Sequence, residues 1–170
     1  MTEEDWSERI RTVLRAPETG PTMRRFFVNT IFDSTFVILG ILIASAFGPD
    51  PNVRIVIATI ITSSVALGIS TGVSVHEAET MEQALRMKEM ERAMLRSLED
   101  TRIGRTSQLT ILIISGVNFL APLVAGLITL TPFLILGEGG VRTAAIISVG
   151  LAMLILFVVG AMMGRSGGRN

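Results

Sequence analysis

The chain contains no cysteine, no tyrosine and a single histidine among its 170 residues. Without cysteine it can form no disulfide, no thiolate nucleophile and no cysteine-ligated metal site. Its fifteen basic and fifteen acidic side chains cancel. The concentrated excess of Lys and Arg that phosphate binding requires is therefore missing, which argues against nucleic acid as a partner.

Catalytic signatures are also missing from the sequence. It shows no nucleophile paired with a base, no glycine-rich phosphate loop and no dense histidine cluster. We therefore expect no enzymatic activity and no resident cofactor. Any metal associated with the chain is expected to be bound or transported.

Apolar sequence is abundant: 49% of the residues are hydrophobic and the mean hydropathy is +0.57. The stretches 26–47, 53–75, 109–136 and 144–163 contain only two acidic or basic side chains, Asp33 and Arg54. Each stretch is long enough to cross a bilayer as a helix, which takes about 20 residues. The sequence predicts an all-α integral membrane protein with four transmembrane helices arranged as two hairpins.

The basic residues are distributed unevenly around these stretches. Segments 1–25, 76–106 and 164–170 hold thirteen of the fifteen Lys and Arg residues, and the two short turns near Arg54 and Arg142 hold one each. The positive-inside rule then places both termini and the middle connection in the cytoplasm. The N-terminus lacks an early apolar region, so we expect the first span to act as its own insertion signal. These features predict a multi-pass protein of the cell membrane, surrounded by lipid.

The predicted organisation has five parts. An amphipathic helix over 2–15 and a linker occupy 1–25, the first hairpin 26–75, and a charged, Met-containing cytoplasmic helix 76–106. The second hairpin covers 107–163 and a short tail 164–170. Because residues 76–101 contain no Gly or Pro, they are predicted to form one continuous helix from His76 to Thr101.

The two hairpins repeat each other weakly. Val28-Asn29 recurs as Val117-Asn118, and the turn before Arg54 recurs before Arg142. This recurrence indicates two hairpins of the same orientation, although chance recurrence of Gly, Val and Arg explains it about as well. Small residues at helical spacing predict close helix contacts, one of which would serve a homodimer. These stripes are Ser64, Gly68 and Gly72; Gly40, Ala44 and Gly48; and Gly160 with Gly164.

Asp33 is the one carboxylate within an apolar stretch. Intramembrane carboxylates are costly and usually face a cavity or a partner, so Asp33 is a candidate ligand for an ion or a proton. Alternatively, it snorkels to the interface or pairs with Arg24 or Arg25. The predicted ion pathway comprises Asp33, Asn29, Ser63, Ser70, Ser74 and Asn118. The competing interpretation of the serines is helix packing, with hydroxyls bonded to the preceding turn.

The middle helix carries candidate metal ligands. His76, Glu79 and Glu82 follow one another at intervals of three, and Glu89 lies two turns further on the same face. Imidazole and carboxylates suit Fe, Mn or Zn, whereas thioethers suit softer ions. The simpler alternative is a charged helix that lies on the protein or the bilayer by its Met face. The predicted metal-binding residues are His76, Glu79, Glu82, Glu89, Met90 and Met94.

The order of these parts resembles the vacuolar iron transporter (VIT) family. The matching strings are FDSTFVILGILIA, ALGISTGVS, the Glu- and Met-bearing helix, SGVNFLAPLVAGLITLTPFLIL and LAMLILFVVGAMMGRSGG, which together cover roughly 24–168. The resemblance implies that Asp33 is an intramembrane acidic ligand. It also implies a cytoplasmic metal-gathering surface formed by Glu79, Glu82, Glu89, Met90 and Met94.

The chain departs from the family pattern in ways that indicate a reduced or divergent member. Val65, Ile69 and Val73 stand where the family usually has Asp, Met and Glu, and a fifth span is missing. The predicted function is export of Fe²⁺ or Mn²⁺ from the cytoplasm, in exchange for protons, by a homodimer. The alternative is a non-transporting membrane scaffold whose cytoplasmic helix binds a partner, and a channel is a third candidate.

Overall fold

The computed structural model describes residues 19–46, 48, 49, 51–95 and 102–167, without the side chains of 45, 46, 102–107, 166 and 167. The predicted amphipathic helix over 2–15 lies outside these residues. The described chain forms four helices: α1 (Thr19–Ala46), α2 (Val53–Met94), α3 (Arg102–Leu136) and α4 (Val141–Gly167). A 3₁₀ turn, Gly137–Gly140, joins the last two. No strand occurs in the described ranges, so the all-α prediction is confirmed.

Three helical stretches of the described chain are long and apolar enough to cross a membrane. They are Thr19–Ala44, Val53–Met94 and Gln108–Arg165. The last of them contains most of α3, the 3₁₀ turn and most of α4. At that turn Gly137 takes a φ of +60°, a conformation that costs glycine little, and the chain reverses direction.

Two helix starts follow familiar chemistry. Pro21 lies in the first turn of α1, where its missing N–H removes no helical hydrogen bond. The Asn52 side chain caps α2 by accepting hydrogen bonds from the backbone N–H groups of Arg54 and Ile55. The N-terminal linker was predicted to extend to residue 25. Residues 19–25 belong to α1 instead, so this part of the predicted linker is helical.

The predicted helix from His76 to Thr101 needs two corrections. It is not a separate element, because α2 continues without a break from Val53 to Met94. It also ends early: Leu95 takes the left-handed conformation, with φ 51° and ψ 33°, and its N–H bonds to the Glu91 carbonyl. This arrangement ends the helix by satisfying one of its last carbonyls.

The four helices pack as a bundle with α1 and α3 on its short diagonal. Each of these two contacts all three other helices, whereas α2 and α4 lie on opposite sides. The turn after α1 and the turn after α3 lie at the same end, because Arg54 Nε donates a hydrogen bond to Glu138 Oε1 at 3.1 Å. The two hairpins therefore have the same orientation, and α1 runs parallel to α3.

The most extensive helix contact joins α2 and α3. A Cβ added at Gly68 would lie 2.7 Å from the Phe119 carbonyl oxygen, and one at Gly72 would lie 3.1 Å from Phe119 Cβ. Further toward the turns, the Ser64 hydroxyl occupies the space beside Gly126. The stripe of Ser64, Gly68 and Gly72 is therefore a packing surface that lets two backbones approach closely.

Candidate functional site

The predicted pathway residues divide into an outer set and one inner residue. Asn29 and Asp33 are exposed on α1, Ser70 and Ser74 are exposed on α2, and Ser63 is half-buried. Asn118 is fully buried inside the bundle. Within a single chain, Asn118 is therefore separated from the other five predicted residues.

Asp33 lies on the outward face of α1. Asn29, one turn earlier, is exposed beside it, and Val37, Gly40 and Ala44 continue the same face toward the turn. Gly40 has open space where a Cβ would stand. We call these five residues the α1 outer stripe. Asp33 has no hydrogen-bond or ion-pair partner among the described residues, so the alternative pairing with Arg24 or Arg25 is not formed.

The outward polar residues of α2 lie at a depth similar to that of Asp33. Asp33 is roughly 20 Å from the end of α1 next to the turn, at a rise of about 1.5 Å per residue. Ser63 and Ser70 lie roughly 15 and 25 Å from the corresponding end of α2. The outer faces of α1 and α2 therefore both carry polar groups at a level inside the apolar stretches.

The hydroxyls of α2 also show the packing behaviour of the competing interpretation. Thr59 donates to the Ile55 carbonyl at 2.7 Å, and Thr62 donates to the Ala58 carbonyl at 2.8 Å. These bonds satisfy the hydroxyls within their own helix. No such bond is formed by Ser63, Ser70 or Ser74 within the described chain.

Asn118 is the centre of an inner polar network. Its side-chain oxygen accepts a hydrogen bond from the Thr30 hydroxyl at 2.8 Å, and its amide nitrogen donates to the Ile114 carbonyl at 2.9 Å. Its backbone carbonyl lies 3.3 Å from the Thr71 hydroxyl. One residue thus connects α1, α2 and α3, which explains why it is buried without an unmet side-chain group.

Sequence reasoning missed both hydroxyl partners of Asn118. One signal was available: Pro122 has no N–H, so the carbonyl of Asn118, four residues earlier, loses its helical partner. A carbonyl freed inside an apolar stretch needs a donor from elsewhere. Thr30 carries no comparable signal, because the residues around it, from Phe26 to Ser34, include no proline.

The predicted metal ligands on α2 differ in their exposure. His76 and Glu82 are exposed, and Glu79 is 3% exposed. Glu82 accepts a hydrogen bond from Arg86 at 2.7 Å, as its spacing predicts. His76 Nδ1 lies 3.9 Å from Glu77 Oε1. Across the ranges described, no three His, Asp or Glu side chains come together as a metal site.

Glu79 is the exception to the exposed character of this segment. It continues the buried face of α2 four residues beyond Val75, where the apolar stretch ends. Its Oε1 atom has no hydrogen-bond partner in the described residues. Burial raises the pKa of the Glu79 carboxyl, and the nearby Glu82 raises it further, while Arg86 and Arg25 act in the opposite direction.

The methionines predicted as metal ligands stay outside the bundle. Met90 and Met94 are exposed, as is Glu89. Met81 and Leu85 are also exposed, at 73% and 63%. The part of α2 beyond Val75 therefore presents carboxylates and large apolar side chains to its surroundings.

Comparisons with known proteins assign no relative. No protein-family model matches the sequence, and neither the curated proteins nor the solved structures contain a significant match.

Proposed function

We propose that this protein is a homodimeric transporter that moves a divalent transition metal, Fe²⁺ or Mn²⁺, out of the cytoplasm in exchange for protons. The observation that carries the proposal is the position of Asp33. It is exposed on the outer face of α1, within an apolar stretch, and it has no partner in the described chain. A carboxylate facing lipid is costly, and such groups normally face a partner or a wet cavity.

A second copy of the chain is the partner that best fits the α1 outer stripe. Gly40 and Ala44 are small and exposed, so two copies of α1 can approach closely there. The same contact brings two Asp33 residues and two Asn29 residues toward a shared seam. Two facing carboxylates repel unless a proton or a cation lies between them, which makes the seam a place where metal and proton compete.

The proposed topology has four crossings. The stretch Gln108–Arg165 crosses twice, because the chain reverses at the 3₁₀ turn within it. Helix α2 is roughly 63 Å long at about 1.5 Å per residue, twice the thickness of a hydrocarbon core of about 30 Å. Its part beyond Val75 extends into the cytoplasm, at the same side as both termini, in accordance with the distribution of basic residues.

The cytoplasmic part of α2 gathers metal ions near the seam. Glu77, Glu82 and Glu89 are exposed on it, and carboxylates raise the local concentration of cations. The resemblance of the sequence to vacuolar iron transporters supports this role. Among the described residues no three His, Asp or Glu side chains come together, so this surface attracts ions weakly and leaves tight binding to the seam.

Transport by reconstituted protein tests the proposal directly. Proteoliposomes with a pH gradient are expected to take up Mn²⁺ with saturable kinetics, and Asp33→Asn is expected to abolish this uptake while the protein remains folded. The matched control, Glu138→Gln, changes an exposed carboxylate at the turns and is expected to retain uptake. Absence of flux in the unaltered protein, or equal flux in Asp33→Asn, refutes transport through Asp33.

A scaffold remains the second candidate because of the exposed apolar side chains beyond Val75. Met81, Leu85 and Met94 are each more than half exposed, which suits the docking of a partner helix. A scaffold predicts no flux in any variant. It also predicts that replacing Met81 and Leu85 by Gln leaves the purified protein folded and removes the binding of a partner helix.

A further inference from the structure

One face of α2 is covered within the bundle and exposed beyond it. Ser63 and Leu67 lie on this face and are half-buried. Met81 and Leu85 follow these two residues after about five helical turns, at about 3.6 residues per turn, so they point in the same direction. They are 73% and 63% exposed. The neighbouring helices therefore stop covering this face between the two pairs.

Helix α1, which contacts α2, begins at the level where the cover ends. Thr30 of α1 donates to the Asn118 side chain and Thr71 of α2 donates to the Asn118 carbonyl, so Thr30 and Thr71 have similar depths. The two helices run in opposite directions. Thr19, the first residue of α1, is therefore level with Glu82, and α2 continues for roughly 18 Å beyond that level.

The chain that precedes α1 has the length and the pattern to continue the cover. Residues 2–15 are predicted to form an amphipathic helix with Trp6, Ile10, Val13 and Leu14 on its apolar face. Such a helix is roughly 21 Å long, similar to the exposed part of α2. Residues 16–18 join it to α1 and span at most about 10 Å, the usual separation of two packed helices. Because its last residue is held near the start of α1, the segment can lie beside α2 only in the antiparallel direction.

The charges of the two segments are complementary in this direction. Residues 2–8 contain four acidic side chains and no basic one, and residues 9–15 contain three basic side chains and no acidic one. On α2, residues 76–82 contain three glutamates and no Lys or Arg, whereas residues 83–95 contain three basic side chains and two glutamates. Antiparallel packing places the acidic half beside the exposed Lys88 and Arg92, and the basic half beside the exposed Glu77 and Glu82.

We propose that residues 2–15, the docked segment, pack as an amphipathic helix antiparallel to α2 on the face that carries Met81 and Leu85. The apolar face of the docked segment covers these two side chains. Trp6 lies toward Lys88 and Arg92, where a cation–π contact is available. The docked segment occupies the surface that a scaffold would offer to a partner helix, and its packing does not depend on what the protein transports.

The absence of native cysteine allows the contact to be tested by disulfide formation in lipid nanodiscs. Leu14→Cys with Leu85→Cys is expected to form a disulfide within one chain on mild oxidation. The matched control, Leu14→Cys with Met90→Cys, uses an exposed residue about 140° further around α2 and is expected to keep both thiols free. A maleimide polymer counts the free thiols as shifts on a gel. Equal disulfide yields from the two pairs, or free thiols in both, overturn the proposal. A covalent dimer from the first pair assigns the face to a second copy and also overturns it.

Trp6 is the only tryptophan, so its fluorescence reports on the docked segment directly. Met81→Gln with Leu85→Gln is expected to shift the emission of Trp6 to the red and to increase its quenching by acrylamide. The control, Met90→Gln with Met94→Gln, changes exposed side chains on the other side of α2 and is expected to leave both unchanged. Unchanged emission in the first variant overturns the proposal. Strong quenching of the unaltered protein by brominated phospholipids places the segment on the bilayer and overturns it as well.

Reversal of charge tests the direction of packing. Lys88→Glu with Arg92→Glu is expected to shift the emission of Trp6 to the red at low salt, and adding Glu3→Lys with Asp5→Lys is expected to restore it. Both changed residues of α2 are exposed, so these variants are expected to fold. If the added lysines do not restore the emission, the acidic half of the segment does not lie beside Lys88 and Arg92, and antiparallel docking is wrong.

Discussion

Asn118 and Asp33 are both polar residues within apolar stretches, but they differ in burial and in hydrogen bonding. Asn118 is buried, and Thr30 and Ile114 satisfy both ends of its side chain. Asp33 is exposed and has no partner in the described chain. Polar groups in a membrane need partners. Asn118 finds its partners within one chain, and we propose that Asp33 meets its partner outside it.

The glycines show the same contrast. Gly68 lies against the Phe119 backbone, whereas Gly40 has open space where a Cβ would stand. Both belong to stripes of small residues that look alike in the sequence. The inner stripe packs within the bundle, and the outer stripe is exposed; we propose that it packs against a second copy.

The largest expected effect comes from adding bulk to the inner glycine. Gly68→Val places a Cβ 2.7 Å from the Phe119 carbonyl oxygen and forces α2 away from α3. We expect a loss of about 2 kcal/mol or more, within the range for overpacked cores. Thermal unfolding in detergent measures it. Gly40→Val is the matched control and is expected to preserve the melting temperature and to weaken the dimer; equal losses in both variants contradict the inner and outer assignment.

The second-largest expected effect on stability distinguishes Asn118 from Asp33. Asn118→Ala removes the bond to Thr30 and leaves a small void, so we expect a loss of about 1–2 kcal/mol. Asp33→Asn removes a charge that has no partner in the described chain, so we expect unchanged or slightly higher stability. Chemical denaturation of both variants in the same detergent provides the comparison. A larger loss for Asp33→Asn supports a purely structural role for this carboxylate.

The smallest effect is a dependence on pH that comes from Glu79. Because the folded-state pKa of Glu79 is raised, the folded protein keeps this proton at pH values where the unfolded chain has lost it. Stability contributed by the neutral form is present below the ordinary carboxyl pKa and is lost as the pH rises through the folded value. Melting temperatures at several pH values measure this decline.

Glu79→Gln is neutral at every pH and is expected to flatten the decline. The matched control, Glu77→Gln, changes an exposed carboxylate two residues away, whose side chain is 76% exposed. This control is expected to follow the unaltered protein. If Glu79→Gln retains the full decline, another group is responsible for it.

Much of the fold follows from sequence patterns because membrane helices have simple requirements. Long apolar stretches predict helices, and the Gly-rich turn before Arg142 predicts the reversal that the 3₁₀ turn makes. The end of α2 at Met94 could not be predicted from the sequence. Leucine is unusual in the left-handed conformation that Leu95 adopts, and no nearby Gly or Pro marks the end of the helix.

The sequence could not predict which face of each helix points into the bundle. In a soluble helix the buried face is the apolar one, but in lipid both faces are apolar and the contrast is lost. Asn29 and Asn118 occupy equivalent positions in the weak repeat, yet the first is exposed and the second is buried. Only tertiary contacts, such as the bond to Thr30, distinguish them.

Disulfide cross-linking of the outer stripe tests the central claim that this face meets a second copy. Gly40 and Ile128 each lie ten residues beyond the bond between Thr30 and Asn118, on parallel helices, so they have similar depths. Both are exposed, and the chain has no native cysteine. In native membranes, mild oxidation is expected to convert Gly40→Cys to a covalent dimer and to leave Ile128→Cys monomeric. A monomeric Gly40→Cys, or equal dimer yields from both positions, contradicts the account.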